Sequence, residues 1–321
     1  MVVSLVRSED HYEGVYEALR RLGDALVKKM EEAKDIMVKP NFVSAYTPLC
    51  ATPVDSVRAV LDFIYTHVGE RRVLIAEGPT IGSFREALDN YGYLELKRAY
   101  DVAFVDLNAD AGRAFKVYDS SLRKRVSIYV AEHALKSDFR ISICRPKTHD
   151  TVIVTLAIKN LVMGAIKSPY KGRMHQGYNA INLNIAFMAT HLMPELAVID
   201  GYVGMEGNGP VDGSAVDWGI AMAGLNALEV DGLASWMMGF DPYEVGYLYL
   251  LHVAGYGELK VDKIEVLGES PKVWRRRFRP HRGYEAQKGW ISSKDKLEEI
   301  IRSELGKSSY LIELKKPRWY F

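Results

Sequence analysis

The residues able to do chemistry gather in a few stretches. The richest is Arg145-Pro146-Lys147-Thr148-His149-Asp150-Thr151, followed by Lys159 and Asn160. Helix N-termini expose unpaired N–H groups and attract anions, so Lys147 beside such a terminus is expected to hold a phosphate or carboxylate. His149 suits proton transfer near neutral pH, or metal ligation. Thr151, Thr155 and Lys159 recur every four residues, which predicts one shared face of a helix over 151–166. Lys159 and Asn160 interrupt an apolar run (Val152, Val154, Leu156, Ile158, Leu161, Val162), which points them at a site; the plainer alternative is a solvated helix face.

Two further stretches extend this constellation. Lys167, Arg173 and His175 lie in a glycine-containing segment that reads either as a flap over a ligand or as a basic surface loop. Asp200 opens a run in which Gly201, Gly204, Gly207 and Gly209 permit the close backbone approach of an anion-cradling nest, against a plain structural turn. Glu206 within it is a candidate acid or base, or a partner of Asp200 around a hard cation. The run lacks the Gly-Lys-Ser/Thr ending of a P-loop and is no GxGxxG fingerprint. His149, His175, His191 and Glu206 match no zinc spacing, so a divalent metal stays open and the cofactor unassigned. Cys144 reads as a buried strand cysteine.

The elements that must position these groups alternate short β-like runs with longer amphipathic stretches. That pattern predicts an α/β fold with a mixed, mainly parallel sheet flanked by helices. Strands are expected over 2–6, 36–38, 73–76, 102–107, 139–144, 196–199, 218–223 and 263–267, with a hairpin from 115–118 and 125–130. Helices are expected over 12–31, 151–166, 180–191, 227–238 and 243–254, and after Thr52-Pro53 and Ser83. Lys39 and Asn41, Glu77, Asp106 and Asn108, Arg145 and Lys147, and Asp200 then all follow strands. In parallel α/β sheets ligands bind beyond those carboxyl ends.

Composition narrows the class. The 321 residues carry 42 Lys+Arg against 41 Asp+Glu, and a net charge of +1 excludes a uniformly basic nucleic-acid binder. Two cysteines cannot make a disulfide framework or an all-cysteine metal site. The start turns acidic within ten residues, unlike a secretory signal, and no apolar run approaches the roughly 20 residues that span a bilayer. A cytoplasmic protein without a membrane partner is expected. The main α/β unit is expected over 1–268, with a C-terminal basic-aromatic extension over 269–321 packed on it. Within 272–288 seven basic residues, among them Arg275, Arg276, Arg277 and Arg279, face one acid, with Trp274, Phe278 and Tyr284 interleaved. Such a stretch can contact RNA or a protein partner, support a homo-oligomer, or pack on its own domain. The ending Lys315–Phe321 repeats the flavour and is expected to pack.

In order along the chain, Lys39-Pro40-Asn41, Ala76-Glu77-Gly78, Pro146-Lys147-Thr148-His149, Lys159-Asn160-Leu161-Val162-Met163-Gly164, His175, Asp200-Gly201, 226–231 and 238–242 resemble the domain of unknown function 362 family. The resemblance covers roughly 35–260 and implies no general activity. Some relatives carry an appended iron–sulfur module; this chain lacks the cysteines, so no iron–sulfur cluster is expected. Leu225-Asn226-Ala227-Leu228 departs from the family's Asp-Pro before Val-Ala, which removes the basis for a carboxylate role there.

The expected function is an enzyme acting on a small anionic metabolite, by isomerase, lyase or transferase chemistry. Lys147, Lys159 and Lys39 hold the anion, the glycine run approaches it, and His149 with Glu206 moves protons. Asn41, Glu77, Asn160, His175 and Asp200 complete the expected lining. The competing reading is a non-catalytic module binding RNA, a ribonucleoprotein or a protein through its basic-aromatic tail.

Overall fold

The computed structural model describes the backbone of residues 2–312 and the side chains of residues 2–305; the expected packing of 315–321 lies outside the described residues. The strands, in chain order, are β1 (Val2–Arg7), β2 (Ile36–Lys39), β3 (Val73–Glu77), β4 (Val102–Asp106), β5 (Gly112–Tyr118), β6 (Arg125–Ala131), β7 (Phe139–Cys144), β8 (Lys147–His149), β9 (Ile153–Thr155), β10 (Leu196–Asn208), β11 (Asp212–Gly224) and β12 (Glu265–Gly268). The main sheet runs β12-β1-β11-β10-β7-β2-β3-β4, and β8 with β9 branches from β10. Only β11 runs against the rest of that path, and β5 and β6 form a separate antiparallel hairpin. The fold is mixed α/β with a largely parallel sheet flanked by helices.

Successive strand side chains point to opposite faces, and here each face has its own core. Ile36 and Val38 of β2 enter the core beneath the helices Glu13–Arg20, Asp24–Glu32, Val54–His67 and Phe84–Asn90. Met37 enters the other, beneath Ala157–Ala165, Gly177–Leu192, Ala227–Met237 and Gly246–Val253. In β10 the same alternation sends Leu196 and Val198 one way and Ala197 and Ile199 the other.

Four expectations are corrected. The helix over 12–31 breaks at Gly23, whose φ of 58° ends one helix and starts the next. Thr52 does not cap the helix Val54–His67: its hydroxyl accepts from the Asn41 N–H and donates to the Ile143 carbonyl, each at 2.9 Å. The stretch 151–166 is not one helix, because five consecutive β-branched residues from Thr151 to Thr155 favour a strand, and β9 turns back on β8 before the helix starts at Ala157. Thr151, Thr155 and Lys159 therefore share no helix face.

The glycine-rich run is the fourth. It is not a nest but the far half of β10, paired with β11 out to Asn208 opposite Asp212. Its glycines accommodate neighbours. Gly201 lies against Trp218 and Ile220, Gly204 against Phe278, and Gly209 against the Thr148 backbone. Gly207, at φ +81°, lies under the Arg279 guanidinium.

Residues 271–290 pass over this end of the molecule. Phe278 is buried, its ring 5.0 Å from Trp218 and edge-on. Buried Trp290 donates its indole N–H to the Glu244 carbonyl at 2.8 Å. Arg275 stacks 4.5 Å from the Trp236 ring, Arg276 donates to the Asp217 carbonyl, and Arg279 donates to the Ser214 hydroxyl at 2.9 Å.

Candidate active site

The carboxyl ends of β7, β2 and β3 lie side by side and deliver Cys144, Lys39 and Glu77 to one edge. Lys39 is the last residue of β2 and has no exposed surface. Its ammonium donates to Glu77 Oε1 at 2.5 Å, the Pro40 carbonyl at 2.8 Å and Asn160 Oδ1 at 2.8 Å. All three of its protons are thus used, as a buried ammonium requires. Asn160 is aimed by its own amide, which donates to the Ser142 hydroxyl at 3.0 Å. The next turn of that helix must be bare: a Cβ on Gly164 would fall inside the Lys39 side chain and 2.7 Å from Glu77 Oε1.

Three more lysines surround this pair. Lys147, on β8 beside Met205 of β10, donates to Asn41 Oδ1 and, at 2.9 Å, to the Cys50 carbonyl. Lys171 donates to the Gly78 carbonyl. Lys159 meets His149 Nε2 at 2.9 Å. Among the described residues, no carboxylate lies within ion-pair distance of Lys147, Lys159 or Lys171. Burial pushes Lys147 and Lys171 each down to about 8 and Lys159 to about 7. His149 is pushed down to about 3, by burial first and by the Lys159 charge second. The Cys144 thiol behind them is buried and pushed up.

His149 connects this interior to solvent. Its Nδ1 lies 2.9 Å from Asp150 Oδ1, whose side chain is 51% exposed. The exposed His175 places its ring 6.5 Å away, nearly parallel. The hairpin beneath is held in an uncommon shape: Ile153, opposite His149, has φ of 69°, a left-handed conformation disfavoured for a β-branched residue. Gln287 braces it, accepting from the Ile153 N–H at 2.6 Å and donating to the His149 carbonyl at 2.8 Å.

Several expected members stand elsewhere. The N-terminus of the helix Ala157–Ala165 is already occupied by a carboxylate of the chain, since Asp231 accepts from the Ala157 and Ile158 N–H groups at 2.9 Å each. Lys147 and His149 sit on a strand instead of beside that terminus. The β10 alternation sends Asp200 to the opposite face, where it accepts from Ser56 at 2.5 Å and meets His11 Nδ1 at 2.8 Å. Glu206 accepts from the Arg279 N–H at 2.9 Å and so anchors the C-terminal segment. Lys167 and Arg173 bond to the Asp110 and Ser127 carbonyls; of the expected flap residues only His175 reaches His149. His191 packs on Phe115 and Phe187. Among the described residues, no three His, Cys, Asp or Glu side chains are grouped as metal ligands.

Sequence reasoning gives no role to Lys171, Asp150, Asp231 or Gln287. Asp150 adjoins a named histidine and could have been paired with it from adjacency alone. No local signal points to Gln287, 138 positions from His149.

The sequence model described as Domain of unknown function (DUF362) matches residues 36–235. The thylakoid-associated protein sll1697 of Synechocystis sp. is 27% identical over 249 residues, 75% of each chain. The lactate racemase apoprotein from Thermoanaerobacterium thermosaccharolyticum is a structural neighbour with a TM-score of 0.47 and 14% identity, over 73% of this chain. The chain spans 56% of that protein's length. Among the described residues, no helix is long and apolar enough to cross a membrane. With the matched segment running from β2 into the helix Ala227–Met237, and so through the whole lysine cluster, the chain belongs to the domain of unknown function 362 family.

Proposed function

We propose that the protein is an enzyme acting on a small phosphate- or carboxylate-bearing metabolite. One observation carries the reading: Lys147, Lys159 and Lys171 are buried together with no carboxylate in ion-pair distance among the described residues. Burying an unpaired ammonium is costly, and a bound anion is the partner that would offset it. Lys39 is excluded from that role because Glu77 already neutralises it. Its part is to fix Asn160 and the helix that carries Lys159. His149, between solvent-facing Asp150 and buried Lys159, is the proton carrier. Glu206 is left out of proton transfer because its carboxylate holds the C-terminal segment.

The test is thermal unfolding at pH 7 in increasing inorganic phosphate or oxalate, with chloride at matched ionic strength as control. Saturating stabilisation by either anion, lost in Lys147→Met, is the expected result. Equal response to chloride, or a response kept by the variant, would remove the reading. The proposed setting is the cytoplasm, and recovery of the protein with membranes after cell fractionation would displace it.

A further inference from the structure

The four buried lysines are not equivalent. Lys39, Lys147 and Lys171 each donate to carbonyl or carboxylate oxygens. Lys159 does not. Among the described residues, the only hydrogen-bond partner of its Nζ is a ring nitrogen, His149 Nε2. The Thr151 N–H donates to His149 Nδ1 at 3.0 Å, so Nε2 carries the proton of the neutral ring and offers an ammonium no acceptor. A neutral amine suits the same place far better. The cations Lys147 and Lys171 add to the bias while the Asp150 charge opposes it, and these two lysines are the groups a carboxylate would seek.

We propose that Lys159 is a nucleophile that forms an imine with a small oxo acid, a substrate bearing both a carbonyl and a carboxylate. This deepens the anion reading of the same cluster and rests on it. Lys147 and Lys171 hold the carboxylate, which places the carbonyl carbon at the Lys159 amine. The amine lone pair attacks that carbon and a C–N bond forms. One proton passes from nitrogen through His149 to the carbonyl oxygen, giving a carbinolamine. The C–O bond then breaks, the second amine proton joins the departing oxygen, and water leaves the C=N product. The exchange needs no oxidant or reductant. Asp150 gives His149 a path to solvent for these protons. A second group fits the arrangement: the Thr155 hydroxyl, opposite Lys147 in the β8–β9 register, is buried and has no hydrogen-bond partner among the described residues. It can donate to the substrate's carboxylate or carbonyl oxygen.

The experiment uses the full chain, glyoxylate as the probe and sodium borohydride as the trap. Borohydride delivers hydride to the imine carbon, water supplies the proton on nitrogen, and the amine is fixed as carboxymethyl-lysine. Peptide mapping then reports which lysines are modified at pH 7. The expected result is preferential modification of Lys159, at least tenfold above any exposed lysine, and suppressed by oxalate. Modification of exposed lysines alone, with oxalate still raising the unfolding temperature, would overturn the imine and leave anion binding standing. No modification of Lys159 and no anion response would overturn both. The map is made on the unaltered protein, so the outcome does not depend on a variant that folds.

Discussion

The Gln287 side-chain amide donates to the His149 carbonyl at 2.8 Å, so the C-terminal segment sets the strand that carries the proton carrier. The same amide accepts from Ile153 on the facing strand at 2.6 Å. One side chain therefore clips both strands of the hairpin, at the pair where the backbone is least comfortable.

Replacing Gln287 by Ala leaves a buried N–H and a buried carbonyl without partners. Each orphaned group costs about 1–3 kcal/mol. Denaturant unfolding should show a loss in that range or above. The His149 ring resonances should shift as the hairpin relaxes. A variant with unchanged stability and unchanged ring resonances would show that the clip is incidental.

Lys159→Met should be at least as stable as the parent at pH 7, because it removes a buried amine with one partner. Lys147, Lys159 and Lys171 all titrate below the ordinary lysine range when folded. Between about pH 7 and that range the unfolded chain binds more protons than the folded one, so their contribution to stability rises with pH. Each contributes up to about 1.4 kcal/mol per pH unit inside the window. Unfolding free energies from pH 7 to 9 should rise more steeply for the parent than for Lys159→Met. Equal slopes would remove the claim that Lys159 is strongly perturbed.

Gly164→Ala should disrupt the site from inside. Its methyl group would have to displace Lys39, whose three bonds organise Glu77, Pro40 and Asn160. Overpacking of this kind costs about 1–3 kcal/mol. Loss of the oxalate response is expected with it, measured in the same melts. An alanine variant of full stability and response would mean that Lys39 has room to move.

Phe278→Ala tests whether the basic-aromatic stretch belongs to the folded body. The ring is 1% exposed and fills space between Trp218 and Gly204. A loss of about 3–5 kcal/mol is expected in chemical denaturation. A loss under about 0.5 kcal/mol, the ordinary range for a surface change, would mark the segment as loosely attached.

The parallel sheet was legible because its strands are short β-branched and aliphatic runs separated by amphipathic helices. Phe139–Cys144 forms as expected, and Lys39, Glu77 and Lys147 fall at or just after strand ends. Two stretches misled for physical reasons. Thr151, Thr155 and Lys159 mimic a helical period, but β-branching from Thr151 to Thr155 favours the extended chain. The glycines after Asp200 suggested a flexible cradle, whereas they make room for Trp218, Phe278 and Arg279, all far along the chain. Asp200 is expected in the lining, but the alternation of β10 turns it toward Ser56 and His11 instead. Lys171 and Gln287 reach the site through tertiary packing alone, which leaves no trace in nearby sequence.

The place of β1 in the sheet makes the fold depend on contacts between residues far apart in sequence. β1 ends at Arg7 and pairs with β11 and β12, which begin at Asp212 and Glu265. Both neighbours of this apolar strand therefore come from far along the chain. Such long-range pairing is slow and leaves strand edges exposed while it waits. Closure of β1 between these two distant partners ties segments from opposite parts of the described chain into one sheet.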